Sequence, residues 1–323
     1  VHIPYKYTVL APKKIKKKDE NKIILDALHH PIGSDSFKKF IENSDQLLVI
    51  VNDASRPSAT AKILEHILPI LSICPSVRYI VATGSHRAPT GEEYRYIFGR
   101  FYEELQQHIF THDSRNQENM TYIGKSKRGT EVFINKLIPE CKNILVIGSV
   151  EPHYFAGYTG GRKAFLPGVS SYRTIEMNHK FALSDQARSL NLTGNPVHED
   201  MVDTSTMLKG CRFFSLQTVL TEEQEIYAMT AGDLYQCFDA ALPYANEVFC
   251  VPLQHKGNIV ITVAPYPMDI DLYQSQKALD NAKLAVEDDG IIILVSKCRK
   301  GVGDDAFLKL LCKAKTPNEL LDI

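Results

Sequence analysis

Gln46–Asn52 reads QLLVIVN, a run of five consecutive apolar residues that closes on the polar turn DASRPS at 53–58. An unbroken apolar run of this length, bounded by turn residues, is a strand buried on both faces. The amphipathic stretch Thr60–Ser72 that follows completes a strand–turn–helix unit. The unit recurs along the chain. Val77–Thr83 (VRYIVAT) passes through GSHRAPT into a helix around Glu92–Phe98, and Asn143–Ser149 (NILVIGS) runs into a long loop that begins at Glu151. Asn258–Ala264 precedes a helix over Leu272–Val286, and Gly290–Val295 precedes KCRKGVGD. Short apolar runs alternating with helices predict an α/β fold of mainly parallel sheets with flanking helices, in two lobes. In such sheets ligands bind outside the carboxyl ends of the strands. The polar motifs fall at those ends, segment after segment, which points to one composite active site between the lobes. A polar QHKGN stretch at 254–258 interrupts two apolar segments, so the predicted division is an N-terminal lobe over 1–255 and the start of a C-terminal lobe over 256–323.

Composition narrows the function classes. The 323 residues are 44% hydrophobic and carry a formal net charge of −1, so no global field steers the chain toward nucleic acid or an acidic membrane. The basic run Lys13–Lys18 (KKIKKK) reads as a solvated loop or strand edge. No apolar stretch approaches the roughly 20 residues that a membrane helix needs. The N-terminus shows no basic region followed by an apolar run. Seven scattered cysteines without CxxC spacing argue against a disulfide framework or a zinc site and read as reduced thiols, which points to the cytoplasm.

The most informative motif is Glu151–Gly168, EPHYFAGYTGGRKAFLPG. Its glycines let the backbone approach a ligand closely, and successive N–H groups at Gly160 and Gly161 suit an anion nest for phosphate. Lys163 follows directly, as a phosphate-binding charge, a nucleophile if burial lowers its pKa, or simply a solvated lysine. His86 in ATGSHR, His153 and His179 each have an ordinary packed or exposed reading. Together, on loops at one sheet edge, they point to acid–base or metal chemistry. Asp53 and Arg56 sit at another strand end. Arginine there suits bidentate capture of a carboxylate, while an Asp helix cap with a salt-bridged Arg is the plain alternative. Gln274 and Lys277 are three apart near a helix start, where an anion is favoured, and they read equally well as a solvated face. The GxG of CRKGVGD lacks the third glycine and the acidic partner of a dinucleotide fingerprint, so an NAD-type dehydrogenase is not supported.

Taken in order, DASRP, ATGSHRAPT, EPHYFAGYTGGRKAFLPG, the following Asn178-His179, NPVHEDM and DIDLYQSQKALDNA resemble the signature segments of the nickel-dependent lactate racemase family. The resemblance runs through KCRKGVGDDAF and so covers nearly the whole chain. It implies a racemase or epimerase of 2-hydroxy acids that carries a nickel-pincer nucleotide made by separate biosynthetic enzymes. By that resemblance Lys163 is the residue joined to the cofactor through a thioamide, and His179 supplies the fourth nickel ligand. His86 and His153 match two catalytic histidines, one base and one acid for each enantiomer. Arg56, Gln274 and Lys277 hold the substrate, Asp53 orients Arg56 or the cofactor, and Gly160 and Gly161 meet the nucleotide phosphate. Relatives continue beyond the point matching TPNELLDI and place an aromatic residue over the substrate, whereas this sequence contains no Trp. The alternative left open by the residues is a non-catalytic homologue that binds the pincer nucleotide or phosphate.

Overall fold

The computed structural model describes residues 6–11, 13–266, 268–303 and 305–321. The chain divides into two compact units, the first ending at Val251 and the second beginning at Pro252, against the 255/256 boundary read from composition.

The first unit is built on a six-stranded sheet. Its strands are β1 (Gln46–Asn52), β2 (Ser76–Ala82), β3 (Ile109–Thr111), β6 (Asn143–Ser149), β9 (Arg212–Leu220) and β10 (Ile226–Gly232). Two antiparallel strand pairs lie outside it: β4 (Met120–Lys125) with β5 (Glu131–Asn135), and β7 (Pro152–His153) with β8 (Gly157–Tyr158). The spatial order is β10-β9-β6-β1-β2-β3. Five strands run parallel, and β10 joins antiparallel to β9. The predicted mainly parallel α/β sheet is thus present, with one antiparallel edge that came from segments the hydrophobic pattern had not singled out.

Burial explains why QLLVIVN is the anchor of this fold. Leu47, Leu48, Val49, Ile50 and Val51 are all at most 1% exposed, because alternate residues feed two different cores. Leu47, Val49 and Val51 join Ile63, Leu64, Ile67 and Leu71 of the helix Thr60–Leu71, whereas Leu48 and Ile50 join Ile134, Ile138 and Phe165 on the other face. The spacing of the four helix residues lays one apolar stripe on the sheet.

The chain moves from β1 outward to β2 and β3, then returns to place β6 on the other side of β1. That reversal opens a crevice at the carboxyl ends of β1 and β6, the usual ligand position in such sheets. The helix Tyr172–His179 beside it starts on a Ser171 cap, whose side chain accepts from Thr174 N–H. It is tied down by a buried polar network. Asp200, fully buried, accepts from Ser126 Oγ, from Thr130 Oγ1 at 2.9 Å and from Asn178 Nδ2 at 2.9 Å.

In the second unit, β11 (Gly257–Val263) and β12 (Val286–Val295) pair in parallel, and the helix Leu272–Ala282 connects them. Ile259, Ile261 and Val263 stand opposite Ile291, Ile293 and Val295, and all six are exposed. Among the described residues no helix is long and apolar enough to cross a membrane.

Asp200→Ala would strand three buried donors at once. At ~1–3 kcal/mol per unsatisfied buried group, the substitution is expected to lower unfolding free energy by at least about 3 kcal/mol. Denaturant unfolding checks this, and a loss under about 1 kcal/mol would contradict the network's role.

Candidate active site

The first unit brings Asp53, Arg56, His86, His153, Lys163 and His179 to the carboxyl ends of its parallel strands or to the helix beside them. Asp53 and Arg56 follow β1, His86 follows β2, and Glu151 and His153 follow β6. Across the crevice between β1 and β6, the Arg56 guanidinium stands 3.7 Å from the Glu151 carboxylate.

Asp53 is 5% exposed and turns toward His86. Its Oδ2 lies 2.7 Å from His86 Nδ1, and its Oδ1 accepts from Ser55 Oγ at 2.7 Å. The expected orientation of Arg56 by Asp53 is therefore corrected: the carboxylate holds His86, and Arg56 finds Glu151. The plain helix-cap reading also fails, because Ala59 occupies the cap of the helix Thr60–Leu71.

The loop 151–168 folds back on itself through Arg162. Arg162 is 1% exposed, and among the described residues no carboxylate is in hydrogen-bond contact with it. Nη1 donates to the carbonyls of Thr159 and Gly160 at 3.3 and 3.2 Å, and Nη2 donates to those of Ala156 and Tyr158 at 2.9 Å each. The guanidinium also lies over the Phe238 ring, 4.5 Å from its centroid. Burial lowers Arg162 from 12.5 to about 9, so it stays charged at neutral pH. Gly160 and Gly161 take a role different from the expected anion nest. The Gly161 N–H already donates to Gln217 Oε1 at 3.0 Å. A Cβ on Gly160, where φ is 85°, would sit 2.6 Å from that same oxygen. The pair is needed for a tight turn against Gln217.

That turn delivers Lys163. Its ammonium makes no hydrogen bond or ion pair among the described residues and stands 5.7 Å from the centroid of Phe155. Burial first, then the charges of Arg56 and Arg162, hold its pKa well below the ordinary lysine value, with Glu151 pulling weakly the other way. Both effects favour the uncharged form of the amine, the form that acts as a nucleophile.

Phe155 is the hub of the site, and sequence reading passed over it. Its ring meets His153 edge-to-face at 4.6 Å and His179 edge-to-face at 5.0 Å. His153 is 6% exposed and stacks on Tyr154 at 4.8 Å. Burial and the charges of Lys163, Arg56, Arg162 and His179 drive it far below the usual histidine range. His179 ends the helix Tyr172–His179 instead of lying on a loop. Its Nδ1 is buried and has no hydrogen-bond partner among the described residues. Burial, then the charge of Lys163, lower it to about 4; the Ile175 carbonyl one turn earlier opposes this without reaching ordinary hydrogen-bond geometry. Among the described residues no three of His, Cys, Asp and Glu gather as a metal site.

Gln274 and Lys277 belong to the second unit. Asp271 caps their helix by accepting from Gln274 N–H at 2.7 Å, and Lys277 Nζ donates to Gln274 Oε1 at 2.8 Å. The seven cysteines are free; Cys74, Cys141 and Cys237 are buried, and Cys312 is exposed.

The sheet and the crevice define an α/β protein with a composite site at a topological switch point, equipped with a buried amine and buried imidazoles. A family model, the lactate racemase N-terminal domain, matches residues 1–190, and its C-terminal domain counterpart matches residues 253–323. The lactate racemase of Thermoanaerobacterium thermosaccharolyticum is 31% identical over 308 residues, covering 94% of this chain and 72% of its own length. That of Lactiplantibacillus plantarum is 33% identical over 314 residues, covering 95% of this chain and 73% of its own. The solved lactate racemase apoprotein from Thermoanaerobacterium thermosaccharolyticum superposes with a TM-score of 0.87 at 32% identity, over 94% of this chain and 73% of that one. A Thermotoga maritima protein at 20% identity shares the fold with a TM-score of 0.62, over 80% of this chain and 66% of that one. The chain belongs to the lactate racemase family.

Two outcomes follow from these surroundings. Arg162→Met leaves the carbonyls of Tyr158 and Thr159 without their donor, while backbone N–H groups still serve those of Ala156 and Gly160, and is expected to cost about 2 kcal/mol or more in chemical denaturation; an unchanged midpoint would contradict the clamp. Burial also holds His112 near 4 and His198 near 3, against 6.5 for an unfolded histidine. Below that value the unfolded chain binds protons that the folded chain refuses, so stability is full above pH ~6.5 and falls as the pH drops toward 4. Urea midpoints from pH 7.5 to 5 measure this. His112→Gln should flatten the slope by close to one proton, and an identical slope would refute the assignment.

Proposed function

We propose that the chain is a racemase or epimerase of a small, lactate-like 2-hydroxy acid, working with a nickel-pincer nucleotide attached at Lys163. The observation that carries this reading is a pair of nitrogens without hydrogen-bond partners among the described residues, the Lys163 amine and His179 Nδ1, on side chains that both meet the Phe155 ring. A half-buried amine and a buried imidazole nitrogen, neither with a hydrogen-bond partner among the described residues, fit a group that takes one covalently and the other as a metal ligand. When bound, the nucleotide supplies the acceptor that removes the carbinol hydrogen as hydride and later returns it.

The residues present suit that group. A lysine whose pKa burial lowers can more readily form an acyl-type bond, which a solvated ammonium resists. One imidazole nitrogen completing a sulfur-rich square plane agrees with the geometric preference of divalent nickel. Gly160 and Gly161 serve by shaping the turn that presents Lys163. The name shared by both relatives supports the reaction class, and the chemistry of hydroxy acids supports the remaining roles.

Arg56 offers a fork for the substrate carboxylate, and its long contact to Glu151 leaves that fork open to exchange partners. Gln274 and Lys277 keep the substrate-holding role that the family resemblance implies. His86 and His153 manage the hydroxyl proton, with Asp53 orienting His86. Partners are then a small-molecule 2-hydroxy acid and, transiently, the enzymes that make the nucleotide. The cytoplasm is the compartment this reading favours.

Intact-protein mass and nickel content after co-expression with pincer-nucleotide biosynthetic enzymes test the proposal. The wild type should gain a covalent adduct and nickel, and Lys163→Ala should gain no adduct. An unloaded wild type, under conditions that load a known relative, would sink the reading. Loading without any exchange at the carbinol carbon would favour the non-catalytic binder.

A further inference from the structure

We infer that the segment Asn195–Asp200, NPVHED, is a positioning element for the site. Asn195 grips the backbone of Phe155, and Asp200 with the Val197 carbonyl grips Asn178, so the contact of Phe155 with His179 is set from both sides. The inference rests on the reading of His179 as a nickel ligand. It gives a role to a motif, NPVHEDM, that the proposed chemistry does not otherwise use.

The His179 ring depends on such support. His179 is the last residue of an eight-residue helix, Tyr172–His179, and the ends of so short a helix hold poorly unless tertiary contacts fix them. Its Nδ1 has no hydrogen-bond partner among the described residues, so no bond at that atom turns the ring. The ring meets Phe155 edge-to-face, 5.0 Å between centroids. Its place therefore follows from where the helix end and Phe155 sit.

Asn178, one residue earlier, holds the helix end. It is fully buried, and its Nδ2 donates to the Val197 carbonyl at 3.2 Å and to Asp200 Oδ2 at 2.9 Å. Both amide protons are thus spent on one segment. Asp200 is itself fixed by Ser126 and Thr130, in the turn between β4 and β5.

The same segment holds Phe155. Asn195, also fully buried, caps the helix Pro196–Thr206: its Oδ1 accepts from the Val197 N–H at 3.1 Å and the His198 N–H at 3.3 Å. Its Nδ2 donates to the carbonyls of Phe155 and Asn191, at 2.9 Å each. An aspartate would cap equally well but has no N–H to give, and serine or threonine offers one proton on a shorter arm. Between these two anchors, Val197 packs in one apolar cluster with Phe155 and with Ile175, one turn before His179. Residues four apart share a helix face, so Val197 braces the side from which His179 projects. Groups that orient a metal ligand in this way are worth about 10–100-fold in metal affinity.

Two variants separate positioning from folding. Asn195→Asp keeps the cap and removes both donors; Asn178→Ala removes both bonds to the segment. In the full chain without cofactor, with 13C,15N-labelled histidine assigned through His179→Gln, the ring current of Phe155 should displace the wild-type His179 signals. Both variants should return those signals toward unstructured values while far-ultraviolet dichroism stays unchanged. After loading by co-expression, both should carry the Lys163 adduct by intact mass yet lose nickel to EDTA about 10–100-fold faster than wild type. Ile63→Val loosens the core fed by Leu47, Val49 and Val51 without touching the segment, and should release nickel at the wild-type rate. Unmoved His179 signals or wild-type nickel release in either variant would overturn the proposal. Equally fast release from Ile63→Val would overturn it too, by making retention a matter of overall stability. A wild type that takes up no nickel defeats the ligand reading beneath it, and the cofactor-free spectra still decide whether the segment positions His179.

Discussion

A positive charge buried without a counter-charge in hydrogen-bond contact organises this protein. Arg162 spends four N–H bonds on the carbonyls of Ala156, Tyr158, Thr159 and Gly160, and so winds the loop after β6 into a closed knot. A guanidinium can do this because its donors form a fixed, planar fork; a lysine in the same place has three donors on a single atom. Removing the charge from water is costly, and the cost is met by charge-assisted bonds and by the face of Phe238.

The same charge conditions its neighbours. Lys163, His153 and His198 each lie in its field, and each is held toward its neutral form by burial reinforced by that field. Phe155 completes the effect by offering all of its neighbours an apolar surface with no strong acceptor. The result is a pocket wall of nitrogen lone pairs and neutral N–H groups, which suits covalent attachment, metal ligation and hydrogen-bond donation. On the facing loops the logic inverts. Asp53 gives His86 a negative partner, and Ser55 supports that carboxylate.

Much of this was legible in the residues. QLLVIVN, VRYIVAT and NILVIGS read as buried parallel strands because their apolar runs lack the alternation of a half-exposed strand, and the structure buries them as expected. The candidate residues stood out because glycine, histidine, arginine and lysine cluster in turns directly after those runs. Strands β9 and β10 were not singled out. Phe155 carried no signal, since an aromatic between polar motif residues looks like any core residue. Arg162 stood beside the lysine in GGRK, yet nothing local says that it faces four carbonyls of its own loop. Nor could the sequence show that Gln217, 56 positions away, takes the Gly161 N–H.

By itself, then, the sequence determined the class of fold, the sheet edge where the candidate residues gather, and the family to which the chain belongs. Those properties follow from local periodicity and from motif composition, which are written residue by residue. Only the tertiary structure decided who partners whom: Asp53 with His86 instead of Arg56, Arg56 with Glu151, and the Ala156 amide with His153 Nδ1. Protonation states and tautomers depend on those pairings, because burial and a single hydrogen bond choose between two nitrogens that the sequence leaves equivalent.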